Sequence, residues 1–156
     1  MQMVRTLMIA AAATIQLHHP PARPDPVLVT AVISGDTLQV AAIGRVRLLG
    51  IEAPKATRGS GPASPFGREA QARLSSLVLH RWIRLEHDDS GPSGASNRTQ
   101  AYVVTEDGQF VNAVLVREGL ARVSTRRQMT RRPELQRAEE DAKTYRRGIW
   151  SGSPPR

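Results

Sequence analysis

The chain has 156 residues, a formal charge of +8 and no cysteine. That length fits one domain with a core of its own, and the missing thiols exclude both a disulfide framework and a cysteine-based metal site. Lys55 and Lys143 are the only lysines, so arginine supplies the other twenty of 22 basic residues; guanidinium groups fork onto phosphate oxygens and stack on bases, although net charge by itself speaks to non-specific binding rather than to fold.

Arg5 precedes an apolar run, Leu7 to Leu17, which His18-His19-Pro20-Pro21 breaks. The run is shorter than the roughly 20 residues of a bilayer-spanning helix and suits the core of an export signal. Residues 1–26 therefore read as a signal-like segment plus a proline-rich linker. They imply a periplasmic or secreted protein, or a membrane-tethered one if the segment is retained.

Beyond the linker, Val27 to Ile33 is rich in β-branched residues and predicts a strand. Ser34-Gly35-Asp36-Thr37 is a turn, and Leu38 to Ala42 a second strand. A third runs from Arg45 to Ile51, with Arg45, Arg47 and Leu49 on one face and Val46 and Leu48 on the other. After a loop, Ser64 reads as a helix cap with Pro65 in the first turn, and Phe66, Ala70, Leu74, Leu77 and Val78 form an apolar stripe. Arg81 to Glu86 and Thr99 to Thr105 are the fourth and fifth strands, on either side of a loop, Asp88 to Asn97. A second helix covers Val111 to Glu118 and stops at Gly119. The third starts at Pro133 and ends before Gly148; Leu135, Ala138, Ala142 and Tyr145 form its stripe, and its acids precede its bases as the helix dipole favours. Trp82 and Trp150 read as core residues, while His80 and His87 have no evident metal partner. Three strands, a helix, two strands and two helices suit a small barrel with helical caps.

Ordered motifs narrow this further. They are Val32-Ile33-Ser34-Gly35-Asp36-Thr37, then Arg47-Leu48-Leu49-Gly50-Ile51-Glu52-Ala53-Pro54, then Phe66-Gly67-Arg68-Glu69-Ala70. Arg98 before Ala101-Tyr102 follows, then Phe110-Val111-Asn112, Leu115 to Ala121, and Gly148-Ile149-Trp150. Over residues 27–151 the chain resembles the staphylococcal nuclease (thermonuclease) family. The resemblance implies a mainly β (α+β) fold, a five-stranded oligonucleotide-binding (OB-fold) barrel with three helices, followed by a tail at 152–156. It also implies a monomeric, calcium-dependent nuclease that cuts phosphodiester bonds of single-stranded DNA or RNA.

Carried over residue by residue, the resemblance puts Asp36 and Glu52 at the two carboxylate positions of a calcium site, with the Ala53 carbonyl as a third ligand. Calcium prefers such hard oxygen donors. Glu52 stands where the family has aspartate and reaches one methylene farther. Read without the family, Asp36 caps a turn and Glu52 is a solvated acid. Arg47 and Arg98 match the two arginines that hold the scissile phosphate, where forked hydrogen bonds neutralise its charge. Lys55 departs from the pattern: it occupies the position of the glutamate that activates water. An ammonium offers no lone pair to a proton, and general-base help is worth about 10²–10⁴-fold in rate. The family's base-stacking aromatics are replaced by Ser96, Thr125 and Arg127, a loss of about 1–3 kcal/mol per stacked base. Arg126, Arg127, Arg131 and Arg132 can compensate with phosphate contacts or form a solvated basic loop. Two functions follow, a slow nuclease or a non-catalytic nucleic-acid-binding module on the same barrel, with a folded relic that has neither role as the third alternative.

Overall fold

The structure is a computed structural model and describes residues 24–56, 64–88, 99–126 and 128–152. The signal-like run, most of the 88–97 loop, Ser96, Arg98, Arg127 and the last four residues lie outside the described residues. No helix among the described residues is long and apolar enough to cross a membrane.

Five strands close a barrel in the order β1 (Val27–Ser34), β2 (Thr37–Val40), β3 (Gly44–Leu48), β6 (Thr99–Thr105) and β5 (Trp82–Glu86). β3 and β6 run parallel and the remaining neighbours antiparallel. Alternation in β2, β3 and β5 fills the interior with Leu38 and Val40, Val46 and Leu48, and Ile83 and Leu85, while β6 is buried continuously from Ala101 to Thr105. β1 joins this wall through Val29 and bends at two irregularities, between Val29 and Ala31 and between Val32 and Ser34. Three helices cap the barrel: α1 (Gly67–Val78), α2 (Val111–Arg117) and α3 (Arg132–Thr144). A bidentate ion pair from Arg73 to Glu118, at 2.8 and 2.7 Å, ties α1 to α2. It holds the Arg73 pKa above its ordinary value, chiefly through the hydrogen bonds to Glu118.

Five expectations need correction. The third strand is shorter than its apolar pattern: the chain turns at Leu49-Gly50, and Ile51–Glu52 leaves the barrel as β4 to pair with β7 (Arg122–Val123). A two-residue strand carries no periodicity, so the sequence could not announce this ribbon. Ser64 does not cap α1. Ser64 to Gly67 is a turn closed by Gly67 N–H donating to the Ser64 carbonyl at 3.1 Å. Pro65 fills its second position and Phe66, at φ 64° and ψ 4°, its left-handed third; proline favours that slot of a type II turn as strongly as the first turn of a helix. Trp82 is half-exposed, because the alternation that points Ile83 inward points its neighbour out. Tyr145 is also exposed, since α3 ends at Thr144, and Arg147 lies over its ring at 4.9 Å. Trp150 is half-buried between Arg122 and Lys143, whose cations sit 4.6 and 4.7 Å from its ring centroid.

Two buried polar groups fix the barrel to its caps. Asn112, fully buried on α2, accepts from the Val103 N–H at 3.0 Å and donates to the Leu49 carbonyl at 2.8 Å. It thereby pins β6 and the end of β3 to one helix. The Tyr102 hydroxyl donates to Asp88 at 2.5 Å and accepts from the Arg131 N–H at 3.3 Å, while Asp88 also accepts from the Thr130 N–H at 2.7 Å. Arg131 lies 3.5 Å above the Phe110 ring and pairs with Glu86 at 3.0 Å and Glu134 at 2.9 Å.

Burial, reinforced by the Asp88 hydrogen bond, pushes the Tyr102 pKa up from 10.0 to about 12. The neutral phenol is the form that the fold favours. Its contribution is therefore complete below the unfolded-state pKa and is lost as pH rises through the folded one. Replacing Tyr102 with Phe is expected to cost about 1–3 kcal/mol at neutral pH by orphaning its partners. Denaturant unfolding across the alkaline range should show the gap to wild type constant below pH 10 and closing towards pH 12, the limits set by the two pKa values.

Candidate active site

The turn between β1 and β2 carries Asp36 at the rim of the barrel. Its side chain is almost buried, at 12% exposure, and each carboxylate oxygen accepts two hydrogen bonds. Ser34 and Thr37 hydroxyls donate to one oxygen at 2.9 and 3.0 Å. Arg47 Nη2 and the Ala53 N–H reach the other at 3.3 and 3.4 Å. Arg47 arrives because β3 pairs with β2 in a register that sets it opposite Thr37. Ala53 arrives because β4 turns out of the barrel just before it.

The approach is close. A Cβ built on Gly35 would lie 2.6 Å from the Ala70 Cβ and 2.8 Å from the Ala53 Cβ, so only glycine lets the turn, α1 and the Ala53 segment meet. A Cβ on Gly67 would lie 2.4 Å from the Lys55 carbonyl oxygen, so the start of α1 backs directly onto the Lys55 backbone. Gln71 of α1 donates to the Val32 and Ile33 carbonyls at 3.2 and 3.3 Å and closes the wall on β1.

These pieces enclose a cleft of ≈ 720 Å³ whose lining includes Asp36, Arg45, Arg47, Glu52, Ala53, Lys55 and Arg126. Asp36, Glu52, Ala53, Arg47 and Lys55 thus share one cavity; Arg98 lies outside the described residues. Glu52 accepts from the Ser124 hydroxyl at 3.2 Å and pairs with Arg126 Nε at 3.3 Å. Lys55 is exposed on the wall. The lining's two acids and four cations give it a charge of −2 + 4 = +2. A second cavity of ≈ 240 Å³ adjoins it across Arg47, Glu52 and Arg126, with Gln100, Ser124 and Met129 among its walls.

Of the basic run after β7, Arg126 faces the cleft, whereas Arg131 is committed to Glu86, Glu134 and the Phe110 face and does not line it. The roles of Gly35, Gln71, Asn112 and Ser124 escaped the sequence reading. The first and third lie inside recognised motifs but carry no charge to mark them, and the contacts of the other two span 38 to 72 residues.

The donor set suits a hard cation. Asp36 from one segment and the adjacent Glu52 and Ala53 from another border one open cleft, with room for waters and phosphate oxygens to complete the six to eight ligands calcium takes. Among the described residues no group of three or more His, Cys, Asp or Glu side chains that could hold a metal ion gathers.

Comparison with known proteins agrees with this architecture. Residues 45–152 match the staphylococcal nuclease homologue family, and the chain belongs to that family. It is 33% identical over 127 residues to a thermonuclease of Staphylococcus intermedius, covering 79% of this chain and 74% of the relative. It is 32% identical over 126 residues to endonuclease YncB of Bacillus subtilis, covering 78% of this chain and 59% of the relative. It is likewise 32% identical over 124 residues to an SPbeta prophage-derived endonuclease, YokF, of the same organism, covering 76% of this chain and 42% of the relative. The chain therefore spans about half the length of the two Bacillus proteins.

Placing a methyl group at Gly35 forces the Asp36 turn away from Ala53 and Ala70, and overpacking of this kind costs about 1–3 kcal/mol. Gly35→Ala is expected to lower the denaturation midpoint accordingly. It should also weaken any ligand that needs Asp36 and Ala53 together, which calcium calorimetry on the still-folded variant measures.

Proposed function

We propose that the protein is a calcium-dependent nuclease that hydrolyses phosphodiester bonds of single-stranded DNA or RNA, acting as an exported monomer with a rate limited by Lys55. One observation carries the reading: Asp36, Glu52, Ala53 and Arg47 converge on a single cationic cleft at the barrel mouth. Asp36, Glu52 and the Ala53 carbonyl would hold the ion. When bound, calcium neutralises phosphate charge and lowers the pKa of water. The chain's own residues bind and orient the substrate. Arg47 already reaches into the cleft, and its guanidinium donates a fork to phosphate oxygens, an interaction that strengthens as charge builds on them. Arg98 is assigned the second fork on the strength of its motif. Lys55 adds positive charge for binding but supplies no base.

Lys55 on the cleft wall also supports a second reading, a module that holds nucleic acid without cutting it. The two separate experimentally. The full-length chain with labelled single-stranded DNA should cleave in calcium and not in chelator, with binding that weakens steeply as salt rises. Lys55→Glu should raise the calcium-dependent kcat by up to the 10²–10⁴-fold that a general base contributes, with KM unchanged or higher because a cation has left the cleft. Lys55→Gln should give a smaller gain, since it removes the charge without adding a base. If neither variant cleaves although both fold and bind, the module reading replaces the enzyme.

A further inference from the structure

Arg126 sits at the middle of a segment fixed at both ends. On one side β7 pairs with β4, the Ser124 N–H donates to the Gly50 carbonyl at 2.9 Å, and the Val123 N–H donates to Glu139 at 2.9 Å. On the other, Met129 is buried beside Gly50, and Thr130 is bonded to Asp88. Between these anchors the Arg126 side chain is 79% exposed, yet its guanidinium bends back to Glu52. It lines both the large cleft and the cavity beside it. Arg47 does the same on the other carboxylate: it pairs with Asp36 and lines both cavities. Each acid of the cleft thus carries its own arginine.

We infer that Arg126 is a counter-ion latch, which occupies Glu52 while the cleft is empty and swings to substrate phosphate when a divalent cation takes that carboxylate. The inference rests on the calcium reading of the cleft. Its physical content is a shared contact. Calcium competes with the Arg126 Nε for the charge on Glu52, and a phosphate competes with Glu52 Oε1 for the guanidinium of Arg126. Whichever ligand binds first meets that competition, and the second finds the pair already open. Cation and nucleic acid therefore assist one another, and linkage makes the assistance equal in both directions. Arg126 thus touches each of the two ligand-bearing groups in turn, first Glu52 and then the phosphate.

The test uses the full-length chain and needs no turnover. Calcium affinity is measured by calorimetry, and affinity for a short fluorescent phosphorothioate oligothymidine by anisotropy, in calcium and in chelator. Arg126→Gln removes a competitor from Glu52, so calcium alone should bind about two- to five-fold tighter, the range expected for an exposed ion pair. Its oligonucleotide affinity should fall more in calcium than in chelator, so that the coupling between the two ligands shrinks. Arg126→Lys keeps the charge, and should hold calcium affinity near wild type and restore part of the coupling. Unchanged calcium affinity in Arg126→Gln, or an equal loss of oligonucleotide affinity with and without calcium, overturns the latch alone. Wild-type protein that binds no calcium overturns the calcium reading and the latch with it.

Discussion

The mouth of this barrel depends on one buried carboxylate. Asp36 accepts four hydrogen bonds from three separated parts of the chain: its own turn, β3 through Arg47, and the segment after β4 through the Ala53 N–H. A buried charge left short of partners is costly, whereas one that is fully paired is held in a single geometry. The barrel register, the exit of β4 and the packing of α1 must all be right for those donors to arrive together. Gly35 makes this meeting sterically feasible. The same contacts that stabilise the turn therefore build the cleft, and the candidate ligands Asp36 and Ala53 are neighbours because the fold needs them to be.

A second layer of polar contacts carries that order to the far wall. Asn112 holds the Leu49 carbonyl and the Val103 N–H on one helix, which fixes where β3 ends and where the chain turns towards Glu52. β4 then pairs with β7 and draws the basic segment across the cleft mouth. Tyr102, Asp88 and Thr130 secure the other end of that segment. Arg131 anchors while Arg126 reaches, although the two are only five residues apart. The difference lies in their neighbours, since Arg131 meets Phe110 and two glutamates where Arg126 meets Glu52 and solvent.

Most of the barrel was legible because β2, β3 and β5 alternate, β1 is rich in β-branched residues and the helices carry apolar stripes. The positions of Asp36, Arg47 and Glu52 were legible only through ordered motifs; their side-chain chemistry alone reads equally as turn cap and solvated charge. What escaped was non-local or ambiguous in kind. The β4–β7 ribbon is too short to have a period. Pro65 suits a type II turn as readily as a helix start, and the Gly67 N–H bond to the Ser64 carbonyl closes the turn. Trp82 obeys the same alternation that buries Ile83, so its exposure follows from register, not from residue type. The partners of Arg126 and Arg131 could not be read from a run of arginines that looks uniform along the chain.

Lys55 also changes the charge balance of the cleft. With an acid at that position the cleft would hold three carboxylates against Arg45, Arg47 and Arg126, a balance of −3 + 3 = 0, in place of the +2 present now. A neutral cleft waits for a divalent cation before it attracts phosphate strongly. A cationic one attracts phosphate at once and resists the cation, since like charges a few ångströms apart repel by a few kcal/mol at an effective dielectric of about 20. On the calcium reading proposed above, lysine here would favour phosphate over metal, while Asp36 and Glu52 keep their carboxylates in the cleft. In such a cleft the arginine pairs on both carboxylates matter more than they would in a neutral one. They keep the two acids compensated in the absence of metal, and so preserve the geometry of Asp36, on which the whole rim is built.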